Sequence, residues 1–212
     1  VKTTMNIENA RMNVFREQGT RKLHMMQWFD SLSEMAKHME AQEASNDEIM
    51  KTMEGMTPME EGTFEKFEET TIFKESTVWK FRPDLSTADE TFAPLSQEEK
   101  DKTIYRRVQY MNVDFGQNDA FEADRKKINE LDSSLGIKFH IAVFENVFGS
   151  RDANYMVLIL DNSRIDYHKN WEARMKVRQA SQAWKDATAN NNNLSNWAVL
   201  RESNWNQIVR LK

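Results

Sequence analysis

One stretch, FHIAVFENVFGSRDANYMVLILDNSRIDYHKNW from Phe139 to Trp171, constrains the fold most. Two apolar runs flank a Gly-Ser-Arg turn, which predicts a β-hairpin, and Ser163-x-x-Asp166 then supplies the oxygens that open a helix. A weaker copy lies near the N-terminus, from about Arg11 to Met39. Gly19-Thr20-Arg21 answers Gly149-Ser150-Arg151 at the turn. Leu23, Met25, Met26 and Trp28 answer Tyr155, Val157, Leu158 and Leu160, and Ser31-x-x-Glu34 answers Ser163-x-x-Asp166. A last pair of anchors follows the helices, where Glu75-Ser76 runs into VWKFR and Glu202-Ser203 into NWNQIVR. No single match decides anything, but their shared order predicts two related α+β halves.

Taken along the chain, residues 11–17 and 22–29 predict the first hairpin. Leu32, Met35, Ala36 and Met39 follow at helical spacing, as an apolar stripe expected in the core. Ile49, Met50 and Met53 predict a second helical piece, and Phe64 with Phe67 a short third one. The β-branched and aromatic run Thr71–Arg82 predicts a strand closing the first half, residues 1–82. Residues 83–101, with Pro83 and Pro94, predict a linker, because proline cannot donate to a ladder.

The second half, residues 102–212, begins with a strand over Ile104–Val113. A helix through Phe121, Ile128, Leu131 and Leu135 stops at Gly136. After the hairpin comes one long helix from Ser163, with Tyr167, Trp171, Met175 and Trp184 on its apolar side, and a closing strand over Asn196–Leu211. The order β-α-β-β-α-β is the ferredoxin-like plan. In the first half only ten residues precede the hairpin, whereas an opening strand and helix need about 30. That half is therefore expected to be incomplete at its N-terminus, its opening strand and helix either lost or lying outside this sequence.

Alternation along the second hairpin puts Phe139, Ile141 and Val143 on one face and His140, Ala142 and Phe144 on the other. Strands apolar on both faces are buried on both, so something must cover the second face. With 12 Phe, 6 Trp and 13 Met, the chain has large enough apolar groups for that despite a 39% apolar share. A net charge of −5 argues against a nucleic-acid backbone binder. No apolar run approaches the ~18 residues of a membrane span. The absence of cysteine rules out disulfides, zinc thiolates and thiol nucleophiles, and suits a secreted or periplasmic protein while remaining compatible with the cytoplasm. Phosphate-loop, G-x-S-x-G and H-E-x-x-H motifs are all missing.

On the element order of 104–211, the passage at 155–171 and the partial repeat at 11–82, the chain resembles the dimeric α+β barrel superfamily in its tandem-repeat form. That group includes antibiotic-biosynthesis monooxygenase-like and NIPSNAP-like proteins. The resemblance implies two ferredoxin-like sheets packed face to face into a barrel-like unit, within one chain or between chains as a homo-oligomer. Members range from haem-degrading and quinone-forming oxygenases to proteins with no known activity. No catalytic motif of the family matches residue by residue, so the catalytic residues are unknown.

The ligand-pocket candidates are His140, His24, Arg107, Trp28, Trp197 and Tyr155. His140 lies in a strand on the face opposite Ile141, where it is either a base or metal ligand, or an ordinary histidine satisfied by a neighbour. His24 sits where the repeat has Met156. Arg106 and Arg107 alternate faces, and the inward one needs a carboxylate or an anion, with Glu145 and Glu202 as expected partners. Trp28, Trp79, Trp197 and Trp205 pack a core or line an apolar pocket. His168 with Glu172, and His38 with Glu34, have ligand spacing but no third ligand, so no metal is expected. The expected function is a module that binds a small apolar or aromatic molecule or assembles with itself, without a cofactor. The alternative is a cofactor-independent or haem-dependent monooxygenase acting on an aromatic substrate. An enzyme would need an enclosed cavity with these residues converging on it, whereas a module would have that space filled.

Overall fold

The computed structural model describes residues 11–20, 22–54, 76–87, 96, 98, 102–150, 152–189 and 197–211. Its elements are β1 (Arg11–Glu17), β2 (Leu23–Trp28), α1 (Leu32–Glu54), β3 (Val78–Phe81), β4 (Tyr105–Val113), α2 (Asn118–Ser134), β5 (His140–Phe148), β6 (Tyr155–Asp161), α3 (Arg164–Ala180), α4 (Gln182–Ala189) and β7 (Trp197–Leu211). The protein is thus of mixed α+β class, with a sheet in the strand order β2-β1-β7-β4-β6-β5-β3. The chain divides into two compact units, one of residues 15–24 and 76–208, the other of residues 1–14, 25–75 and 209–212.

The larger unit is built on β4, β5 and β6, whose pairings are antiparallel and in continuous register, with Val108 opposite Leu158 and Ala142 opposite Leu158 from the other side. β7 pairs antiparallel with β4 across a register shift at Tyr110/Met111. On one face Tyr105, Val113, Phe139, Ile141, Val143, Tyr155, Val157 and Ile159 join Phe121 of α2 and Tyr167 of α3 in a single core. The opposite face carries Arg106, Val108, Ala142, Phe144, Met156, Leu158, Leu160, Ser203 and Trp205, and these are buried too. The sequence expectation of two buried faces holds. Water is excluded there: Val108 is 0% exposed and Leu158 1%.

Local chemistry explains the element ends. Ser163 caps α3, its Oγ accepting from the Asp166 N–H at 3.1 Å and donating to Asp166 Oδ2 at 2.7 Å. The turn of the β5–β6 hairpin needs Gly149, which has φ +93° and whose added Cβ would stand 2.4 Å from the Ser76 carbonyl oxygen. The expected single long helix after Ser163 is two helices instead. Ser181 adopts an extended backbone (φ −83°, ψ 124°), and its Oγ accepts from the Trp184 N–H at 3.2 Å to start α4.

β3 is four residues long and pairs antiparallel with β5, Lys80 opposite Glu145 and Phe81 opposite Phe144. The strand expected to close the first half therefore lies at the border of the second half's strands. Beyond it the chain turns through a 3-10 segment at Pro83–Leu85. Ser86 Oγ then accepts from the Val143 N–H at 2.9 Å, and Thr87 Oγ1 from the Ile141 N–H at 2.8 Å. Hydroxyls thus continue along β5 the bonding that β3 began. Apart from Ser96 and Glu98, the rest of the expected linker and the pieces around Phe64, Phe67 and Thr71–Glu75 lie outside the described residues.

In the smaller unit, α1 runs unbroken for 23 residues where two helical pieces were expected. Ser31 Oγ accepts from the Glu34 N–H at 3.1 Å, and Glu34 Oε2 reaches back to the Asp30 N–H at 2.8 Å, a box displaced by one residue. The stripe read as core is not buried: Leu32 is 57% and Met39 52% exposed. Helical spacing determines which residues share a face, not whether anything covers that face.

Candidate functional site

The segment after β3 meets α2, β5 and β6 in a cluster that no stretch of sequence announces. Arg82, just after β3, meets Glu122 of α2 through both guanidinium nitrogens, Nη1 to Oε1 and Nη2 to Oε2, each at 2.6 Å. Its Nη1 also donates to Glu145 Oε2 of β5 at 2.9 Å, and its Nε and Nη2 to the two oxygens of Asp84 at 3.0 Å. Lys126 closes the far side of Asp84 at 2.9 Å. The Tyr155 hydroxyl of β6 donates to Glu122 Oε1 at 2.9 Å, and its ring lies 4.6 Å from that of Phe121.

The electrostatics of this cluster follow from its bonds. The Arg82 guanidinium holds the carboxyls of Glu122 and Asp84 below the usual carboxylate range, and Glu122 first and Asp84 next raise Arg82 in return. Burial, then the bond to Glu122, pushes the Tyr155 hydroxyl up. Each shift moves the group's pKa further from neutral pH. A general acid or base works best with a pKa near the operating pH; Arg82, Glu122 and Asp84 instead hold fixed charge, the Tyr155 hydroxyl stays protonated and uncharged, and all four are poor proton carriers.

Glu145 and Tyr155 also border an open cleft of about 250 Å³, lined besides by Asn112, Asn118, Asn146, Ser150, Asp152, Ala153 and Asn154. Its size is below the ~300–1,000 Å³ of pockets that enclose drug-sized ligands, and its lining is polar where such pockets are mostly apolar. Asn154 is committed to the fold, its Oδ1 accepting from the Val113 N–H at 2.9 Å. The cleft's open, polar lining offers hydrogen bonds and little apolar enclosure.

The candidates chosen from sequence are dispersed. Tyr155 is in the cluster just described. Arg107 lies on the helix-covered face, donating to Asn204 Oδ1 at 3.1 Å and to Glu202, so one of its two expected carboxylate partners is the right one. Glu145, the other, serves Arg82 instead. Arg106 turns to the second face and donates to the carbonyls of Thr103 and Tyr105 at 2.6 and 2.9 Å, with Phe15 5.8 Å beneath its guanidinium. His140 is on that second face, half-buried, opposite Leu160. His24 stacks on Trp205 at 4.0 Å and bonds Glu17 Oε2 at 2.9 Å. Trp28 is half-buried in the smaller unit, and Trp197 opens β7 opposite Val113, its side chain outside those described. His38 bonds the Gln27 side chain at 2.8 Å. Among the described residues no three metal-binding side chains converge, and no helix is long and apolar enough to cross a membrane. No protein-family model matches the chain, and no curated protein matches it in sequence.

Sequence reasoning missed Arg82 and Glu122, and assigned Glu145 to the wrong arginine. The two glutamates are 40 and 63 positions from Arg82, and pairing at that range has no local pattern.

Proposed function

We propose that this protein is a non-catalytic binding or assembly module, built from tandem ferredoxin-like halves and akin to the dimeric α+β barrel superfamily. The observation that carries the reading is the filled second face of the β4–β5–β6 sheet. Side chains as closed to water as Val108 and Leu158 leave no water-sized space beside them, where a monooxygenase would need a cavity. The order of elements in residues 105–211 and the strand order β7-β4-β6-β5 support the ferredoxin-like description of the second half. For the first half, the hairpin β1–β2 followed by a Ser-capped helix supports it. An address outside the cytoplasm rests on the cysteine-free sequence alone.

The test is a protein purified from its source, examined by absorbance, by dioxygen uptake with phenolic substrates, and by light scattering. The module reading expects no haem or flavin band, no substrate-dependent uptake, and a mass at an integral multiple of the chain. A Soret band, or uptake that scales with enzyme and stops in a His140→Ala variant, overturns it in favour of the oxygenase.

A further inference from the structure

Helices α2 and α3 carry a second charged cluster, remote in role from anything above. Asp132 of α2 is buried between Arg174 and Arg178 of α3, themselves buried. Arg178 grips it as a fork, Nε to Oδ1 at 2.8 Å and Nη2 to Oδ2 at 2.7 Å, and Arg174 Nη2 donates to the same Oδ2. Both oxygens are thereby used. Arg125 stands two helical turns before Asp132 on α2, within the electrostatic reach of all three groups. Three guanidinium charges thus share one carboxylate, and buried charge is tolerated where it is paired.

The unpaired donors have a specific shape. The Nε and Nη2 of Arg125 are buried and have no hydrogen-bond partner among the described residues, and the same is true of Arg174 Nε. On a guanidinium those two N–H groups leave one edge in parallel, spaced for two oxygens of a carboxylate or phosphate. It is the edge by which Arg178 holds Asp132. Rings restrict what Arg174 and Arg178 can do: Arg174 sits 4.3 Å over Phe139, and Arg178 4.0 Å over Trp184. Burial, reinforced by repulsion from Arg174 and Arg178, brings Arg125 down to about 10, so it is still a cation at neutral pH. Arg125 as a residue is half-buried, but its Nε and Nη2 are themselves closed to water, so an incoming anion must displace the side chains that cover them.

We propose that the Arg125 edge, with Arg174 beside it, receives the oxyanion of a small molecule, a carboxylate or a phosphate. The site is independent of the module reading and uses none of its residues. The experiment follows the melting temperature of the full chain in sodium phosphate and in sodium citrate, each against sodium chloride at matched ionic strength. Calorimetric titration of the same anions accompanies it. A rise that saturates in one anion assigns the group, and saturation in both assigns an unselective fork. Arg125→Met is expected to melt higher than wild type in chloride, because it removes a buried unpaired charge, and to lose the anion-dependent rise. Arg125→Lys keeps the charge without the fork and should bind at least ten-fold more weakly. If wild type shows no saturable rise and no heat with either anion, or if Arg125→Met retains the rise, the site does not exist.

Discussion

The two hairpins follow one sequence plan and end in different surroundings. On β6, Tyr155 and Val157 are 1% and 2% exposed, whereas their counterparts on β2, Leu23 and Met25, are 60% and 58% exposed. On β2 only His24 stands out as more protected than both its neighbours, Leu23 and Met25, whereas every residue of β6 is buried. A strand therefore forms even where one of its faces is left open to water. Strand period is a local property of the backbone, while burial depends on what the rest of the chain lays over it.

The comparison can be broken most sharply by truncation. Leu158→Ala should cost about 2–5 kcal/mol in urea unfolding, and Met25→Ala about 0.5 kcal/mol or less. Equal losses would mean that the two hairpins are equally packed in solution. The turns come next. Gly149→Ala carries the ~1–2 kcal/mol of a left-handed backbone and must also displace the Ser76 carbonyl, while Gly19→Ala, at φ +78° with nothing within 4 Å, carries only the first cost. A Gly149→Ala variant no less stable than Gly19→Ala would remove the Ser76 contact.

A smaller effect separates the helices. Ser163→Ala should lower global stability by about 1 kcal/mol, whereas Ser31→Ala should reduce α1 helicity and leave the main unfolding transition in place. Circular dichroism and denaturant midpoints distinguish the two. The smallest effect is in acid. Glu122 and Asp84 have depressed pKa values, so the stability they lend is present above the ordinary carboxylate value near 4 and is lost as pH falls below it. The melting temperature should decline over that range, less so in Glu122→Gln. Because the network is partly exposed, the difference should shrink in salt.

What the sequence disclosed was whatever local pattern carries. The β5–β6 hairpin was legible because two long apolar runs meet at Gly149, and α3 because Ser163 and Asp166 stand three apart. The break at Ser181 was not, since its cap lacks the acidic partner that marked the other two. The stripe Leu32, Met35, Met39 was correctly placed on one face and wrongly placed in the core. The Arg82 cluster joins a loop, a helix and a strand, and Asp132 with its arginines joins two helices. In each case charged residues that look like solvated surface are brought together by the sheet beneath them. Arg174 and Arg178, four apart on α3, and Arg125 and Asp132, seven apart on α2, have helical spacing, but nothing local places one helix against the other.

The hydroxyls of Ser86 and Thr87 have a consequence for how this molecule behaves among its copies. A bordering strand with bare amides invites a foreign strand to dock and propagate. Here the amides of Ile141 and Val143 are already occupied by two small side chains from the same polypeptide. That stretch of β5 is closed to recruitment, and the protection comes from two hydroxyl groups, with no additional strand required.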